Sequence, residues 1–352
     1  MDISVVQSIA LFIFSLTFVG LATPLVRRLA LRLGVVDRPS EAHKTHREPV
    51  PYLGGIAIVA GVIITTYGAL FISGNAEFVA LVSTVLIPAV FMGAVGLVDD
   101  VKKLSPWPRF VVQNLVGLAI TIVLISTDTL GSPSGSQIVD ILISVIWIVG
   151  ITNSINFFDN VDGGASGAVA ISSFFLFLLC MQGGQYFIAG LSIVLAGSTL
   201  GFLLWNKPPA RIYMGDAGAL FLGVLLATLA LRFNPNPIDK VSSLAIPVLL
   251  IAVPILDTSV AVISRLRRGL SPFQGGQDHL SHRLMRSKFT KRQSILILWL
   301  ITIFFSSIAV SISFANVELE RSLTYIALLL WTLAFVLFIR TADDSTTSKT
   351  HR

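Results

Sequence analysis

Two adjacent acids, Asp99 and Asp100, close the apolar stretch "AVGLVDDVKKLSPW". Like charges side by side repel, and the repulsion costs free energy unless a cation or a proton offsets it. A second cluster, "NSINFFDNVDGG" at 153–164, gathers Asn153, Asn156, Asp159, Asn160 and Asp162 between two lipid-soluble stretches. On a helix, Asn153, Asn156 and Asn160 recur at i, i+3 and i+7, on one face, and Asp159 and Asp162 form another i, i+3 pair. Amide and carboxylate oxygens suit a hard cation such as Mg²⁺, and amides also hydrogen-bond a base or a sugar. Helix capping would account for one of these residues, not five.

Three further segments carry polar groups with chemical potential. In "RIYMGDAGALFLG" Asp216 lies between Gly215 and Gly218 at the mouth of an apolar run, where it can cap a helix or meet a cation. Arg211 beside it suits a phosphate, or simply marks the inner side of a membrane. The long segment 264–292 holds Asp278, His279, His282 and Arg283 in a compact group. A His-x-x-His pair can serve a transition metal, but no third ligand of that kind is evident. Phosphate oxygens are the better match for His and Arg together. The Gly275-Gly276 turn would let this loop fold over a ligand. In "HKTHREPVPYLGG", Lys44, His46 and Arg47 precede two prolines and a Gly pair; Arg47 is read as topology signal. Asp257, in "VPILDTSV", lies inside an apolar run and admits two readings, a structural ion pair or a catalytic acid.

The elements that must position these residues follow from composition. Apolar residues make up 54% of the 352 and charged residues only 12%, against about 25% charged in soluble domains. Mean hydropathy is +0.83. A bilayer core of about 30 Å needs about 20 apolar helical residues to cross it, because backbone groups must bond internally there. Eleven such runs are predicted, at 4–24, 53–73, 79–98, 109–126, 137–152, 165–181, 186–205, 217–231, 242–263, 293–314 and 322–340. The expected fold is therefore all-α: a polytopic integral membrane protein of about 11 transmembrane helices, a single domain over 1–352 with a polar tail at 341–352. The first run is not a cleaved signal peptide, since its positive charges follow it.

Lys and Arg decide the orientation. With the N-terminus outside, 22 of the 25 Lys and Arg residues fall in the inner segments, chiefly 25–52, 99–109, 206–216, 264–292 and the tail. The inner loop 153–164 has none. The formal charge of +6 is then topology signal and asks for no nucleic-acid partner. The lone Cys180 excludes an intramolecular disulfide. All the polar clusters reach the cytoplasmic face by this count. Acids, amides, His and Arg meeting there suit a Mg²⁺-supported phosphoryl transfer on a charged, phosphorylated molecule, with the spans supplying a groove for a lipid. There is no Walker A loop. An ion-coupled transporter is the rival, and it would place acids near the midplane on broken helices, a description only Asp257 approaches.

In order along the chain, "KTHREPVPYLGG", "VGLVDDVKKLSP", "NSINFFDNVDGG", "RIYMGDAGALFLG", "PILDTSVAVISRLRRGLSPF" and "DHLSHRL" resemble the polyprenyl-phosphate N-acetylhexosamine-1-phosphate transferases, over about residues 35–295. "PILD" and "DHLSHRL" look like the WecA/TagO-type branch, and the MraY branch, which takes UDP-MurNAc-pentapeptide, is the alternative. The resemblance implies attack by undecaprenyl phosphate on the β-phosphorus of a UDP-N-acetylhexosamine, most simply UDP-GlcNAc, with release of UMP, at the plasma membrane. It implies Asp99 as the proposed base with Asp100 beside it and Asp159 as catalytic groups. It implies Asp216 and Asn156 as Mg²⁺ ligands, with Mn²⁺ as a substitute. Asn153 and Asp162 would line the nucleotide pocket. His279, His282 and Arg283 would hold the sugar diphosphate, and Lys44 and His46 would approach its phosphates. A homodimer is the family expectation. Two features depart from the family pattern: Ser281-His282 where many relatives have two adjacent His, and "VDGG" in place of the commoner "xDGL".

Overall fold

The computed structural model describes residues 3–37, 50–127, 129, 134–235, 239–273 and 275–341. Lys44 and His46 lie outside the described residues. The described chain is almost wholly helical: α1 (Val5–Leu33), α2 (Gly54–Ser73), α3 (Val79–Lys102), α4 (Pro106–Ser126), α5 (Gln137–Phe158), α6 (Gly164–Gln182), α7 (Tyr186–Asn206), α8 (Gly215–Arg232), α9 (Lys240–Leu250), α10 (Ala252–Arg267), α11 (Leu280–Arg286), α12 (Lys291–Phe314) and α13 (Val317–Arg340). The exception is a two-residue antiparallel pair, β1 (Val36–Asp37) with β2 (Val50–Pro51). Among the described residues, ten helices are long and apolar enough to cross a membrane, or eleven spans if the bent pair α9–α10 counts as one.

Most helices match the expected runs, several of them running past the expected ends. α1 runs on to Leu33 and so carries Arg27, Arg28 and Arg32 as helix. α5 reaches Phe158, which makes Asn153 and Asn156 helical but leaves Asn160 and Asp162 in the following turn. The expected single face of three asparagines therefore does not form. α8 begins at Gly215, so Asp216 sits in its first turn. Nearly all of α8 is buried, and α3 and α5 flank it.

The run 242–263 is not one straight span. α9 and α10 meet at an angle of 79° around Ile251. Pro254 supplies the reason: it has no N–H to donate to the Leu250 carbonyl, so the helical ladder stops there. The freed carbonyl accepts from Ser172 Oγ at 2.6 Å. Nearby, Trp331 Nε1 donates to the Ala252 carbonyl at 3.1 Å, tying the start of α10 to α13. The bend redirects Asp257 and the segment that follows it toward the ends of α3, α5 and α8.

Candidate active site

The site is a cavity of about 600 Å³ where the ends of α3, α5 and α8 meet the segment after α10. Glycine brings the first wall together. At Gly96 a side chain would come within 2.3 Å of the Asp216 carbonyl, so its absence lets α3 and α8 touch. Gly215 takes φ +71°, a left-handed value natural to glycine, and a Cβ there would lie 2.5 Å from Asp100 Oδ2. The contact places the two acids of α3 against the start of α8.

The acids of the adjacent pair then do different work. Asp100 accepts from the backbone N–H groups of Asp216 (2.8 Å) and Ala217 (3.1 Å), so it caps α8 at its positive end. Asp99 is buried and accepts from Leu104 N at 2.6 Å and from Arg109 Nη1 at 2.5 Å. The same Arg109 nitrogen donates to Asp216 Oδ2 at 2.6 Å. Asn156 Nδ2 donates to the other Asp216 oxygen at 2.7 Å. One guanidinium thus holds apart two carboxylates that would otherwise repel.

Asp159 stands just past α5 and lines the cavity. Its carboxylate has no hydrogen-bond partner among the described residues. Burial first, and then the charges of Asp216, Asp100 and Asp162, push its carboxyl well above the usual range. Asp162 is better compensated, accepting from Ala210 N at 3.0 Å and Lys291 Nζ at 2.8 Å.

The opposite wall is basic and largely self-satisfied. Arg265 Nε donates to Asp278 at 2.9 Å, and Arg268 pairs with the other oxygen of that carboxylate. His279 Nδ1 lies 2.7 Å from Asp257 Oδ2, and its Nε2 lies 3.1 Å from Arg265 Nη2. His282 also lines the cavity, with a buried Nδ1 that has no hydrogen-bond partner among the described residues. Burial pushes His282 down to about 4, so it is neutral at pH 7. Tyr52 and Tyr213, with ring centroids 6.0 Å apart, line another side. Tyr213 is fixed there because its N–H donates to Pro51 O at 2.9 Å, extending β2.

Among the described residues, no three His, Cys, Asp or Glu side chains are already arranged to hold a metal. The donor chemistry nonetheless suits Mg²⁺. That ion takes one or two carboxylates plus substrate phosphates and keeps several waters, rather than filling an all-protein cage. Asp216, Asn156 and the uncompensated Asp159 offer only oxygen donors on one wall.

Comparison with known proteins bears on the whole chain. Residues 81–234 match the model described as Glycosyl transferase family 4. The "Probable undecaprenyl-phosphate N-acetylglucosaminyl 1-phosphate transferase" of Bacillus subtilis (strain 168) is 32% identical over 334 residues, spanning 94% of this chain and 91% of its own. The chain belongs to glycosyl transferase family 4. Two more relatives of this family 4 enzyme extend the picture. One is the decaprenyl-phosphate N-acetylglucosaminephosphotransferase of Mycobacterium tuberculosis (strain ATCC 25618 / H37Rv), 34% identical over 79% of this chain and 76% of its own. The other is the undecaprenyl-phosphate alpha-N-acetylglucosaminyl 1-phosphate transferase of Yersinia pestis, 28% identical over 94% of this chain and 89% of its own.

Within this family 4 enzyme, three expected site residues lie elsewhere. Asn153 turns to α4, donating to Gln113 Oε1 at 2.7 Å and to its own helix at Val149 O, 2.8 Å. Arg211 stacks over the Trp205 ring, 5.6 Å from its centroid, outside the cavity. Arg283 is 1% exposed. It donates to Asp278 O (2.8 Å), Phe338 O (3.0 Å), Thr341 O (2.6 Å) and Ser264 Oγ (3.0 Å), which binds the loop to the end of α13. A guanidinium spent on backbone carbonyls is not available to a diphosphate. Conversely, sequence reasoning passed over Arg109 and Lys291, counting both as topology signal. Arg109's only sequence cue is its place on α4, shortly after the acid pair; Lys291 gives none.

Proposed function

We propose that this chain transfers N-acetylhexosamine-1-phosphate, specifically GlcNAc-1-phosphate, from a UDP-sugar to undecaprenyl phosphate, releasing UMP with Mg²⁺ as cofactor. The observation that carries the reading is the convergence of Asp216, Asn156, Asp159 and Asp100 on one cavity at the ends of apolar helices. The names of the relatives support the sugar and the lipid. The Lys and Arg asymmetry supports a plasma-membrane protein whose cavity opens to the cytoplasm. Mn²⁺ substitution and homodimer formation belong to the same reading.

Asp216, flanked by Asn156, and Asp159 would hold the ion. When bound, Mg²⁺ neutralises charge on the diphosphate and polarises the phosphorus under attack. The chain's own groups do the positioning. Asp100 fixes the first turn of α8 and with it the Asp216 carboxylate. Asp99 is occupied by Arg109 and Leu104 N, which suits a structural brace better than a base. A base is scarcely needed, because a phosphate monoester with a second pKa near 6 is already mostly dianionic at pH 7. Neutral His282 can offer an N–H to a phosphate or sugar oxygen.

The test is UMP release by purified protein given undecaprenyl phosphate, Mg²⁺ and a panel of UDP-sugars. UDP-GlcNAc should be the best donor. No UMP from any donor in the panel would sink the reading, and preference for UDP-MurNAc-pentapeptide would replace the sugar.

A further inference from the structure

The deepest unassigned titratable pair is Asp257 with His279. Asp257 is 0% exposed on α10, beyond the bend. Its Oδ2 meets His279 Nδ1 at 2.7 Å, and its Oδ1 accepts from Leu280 N at 2.7 Å. A carboxylate can only accept, so His279 Nδ1 must carry the hydrogen. On the other side of the ring, Arg265 Nη2 can only donate, and it lies 3.1 Å from Nε2. Nε2 must therefore be bare. Both contacts demand one state of the ring, neutral with the proton on Nδ1.

We propose that Asp257 is a positioning residue, which locks His279 in that tautomer so that Nε2 holds Arg265 at the cavity wall. Arg265 completes the arrangement through Asp278 Oδ2 (2.9 Å), Pro272 O (2.8 Å) and the Phe157 ring, 5.4 Å from the centroid. His279 thus has no donor left for a ligand although it lines the cavity. His282 keeps that capacity. The Asp257–Leu280 bond fixes the start of α11, which carries His282. One buried carboxylate therefore sets the place of both a cation and an imidazole of the basic wall.

The isosteric Asp257→Asn isolates this role. An amide has one acceptor oxygen, whereas the two carboxylate oxygens meet three donors: His279 Nδ1 and, at 3.4 Å, Asn160 Nδ2 on Oδ2, and Leu280 N on Oδ1. If that oxygen faces Leu280 N, the amide N–H forces the proton to Nε2, against Arg265. If it faces His279, the amide N–H opposes Leu280 N. The volume is unchanged in both cases.

Two measurements test the proposal, and only the second rests on the transferase reading. Nitrogen NMR of ¹⁵N-histidine-labelled protein at neutral pH, with His279 identified by its loss in His279→Asn, should show protonated Nδ1 and bare Nε2. A proton on Nε2 overturns the proposal, whatever the variants do. Next, kcat/KM for UDP-GlcNAc is compared in Asp257→Asn, His279→Asn and the double variant, each at matched folded protein. Each single change should lower it at least about ten-fold. The double should lose no more than the worse single, because the two residues act through one relay. Additive losses, or wild-type kcat/KM in Asp257→Asn, also overturn it. If wild-type protein releases no UMP, the transferase reading fails while the tautomer result still decides the relay.

Discussion

The two walls of the cavity are built from opposite charges and used in opposite ways. The wall made by α3, α5 and α8 gathers carboxylates with little compensation: Arg109 serves both Asp99 and Asp216, and Asp159 has no partner among the described residues. The wall from 257 to 286 spends its cations on its own acids and carbonyls, through Asp257, Asp278 and the α13 end. The difference teaches that a charge count does not reveal what a ligand can reach. Asp159 is left available, and most of the cations are not.

The comparison is broken most sharply at Asp216. Asp216→Asn should lower UMP release at least about 10²-fold while the protein stays folded, since it removes the carboxylate proposed to hold the cation that offsets the diphosphate charge. Near-normal turnover would remove Asp216 from the site. Arg109→Gln comes next. It leaves Asp99 facing Asp216, so thermal stability should fall, by about 3 kcal/mol or less given Arg109's 19% exposure. Added Mg²⁺ should restore more stability to this variant than to wild type. Equal Mg²⁺ shifts would mean that the guanidinium does not stand where a cation is wanted.

Asp159 gives a pH test with a definite sign. Its folded pKa lies above the ordinary value, so the folded state holds its proton more tightly than the unfolded chain does. Ligand-free stability is then lost as pH rises from the ordinary carboxylate range, near 4, through the folded pKa. Asp159→Asn should melt higher than wild type at pH 8, and the gap should close at pH 4. An unchanged melting temperature at pH 8 would show that the carboxylate is already compensated.

The smallest effect on catalysis belongs to the spent wall. Arg283→Met strands several buried carbonyls and should cost about 3 kcal/mol of stability. The KM of the folded enzyme for UDP-GlcNAc should stay within about two-fold. A large rise in KM would return Arg283 to the ligand.

Much of the architecture was legible because a bilayer leaves few alternatives. Long apolar runs must be helices there, so eleven predicted runs correspond to ten long helices and one bent pair. Asp100, Asn156, Asp159, Asp162, Asp216, His279 and His282 were legible as polar groups too costly to place without purpose, and all of them line one cavity. Asn153 and Arg283 carried the same cues and meet other partners. Residue type reports that a group needs compensation, but not who supplies it. The bend at Ile251 could have been read from Pro254, whose missing N–H ends the ladder.

By itself, then, the sequence determined the all-helical membrane architecture and the short set of polar segments from which any site had to be drawn. Hydropathy and charge suffice for that, because burying an unpaired polar group in lipid is costly wherever it occurs. Only the tertiary structure decided which acid caps α8, which cation bridges Asp99 to Asp216 and which histidine is already committed. Those outcomes depend on contacts of 2.5–3.1 Å between residues up to 117 positions apart. Such distances are set by helix packing, at Gly96 against α8 above all.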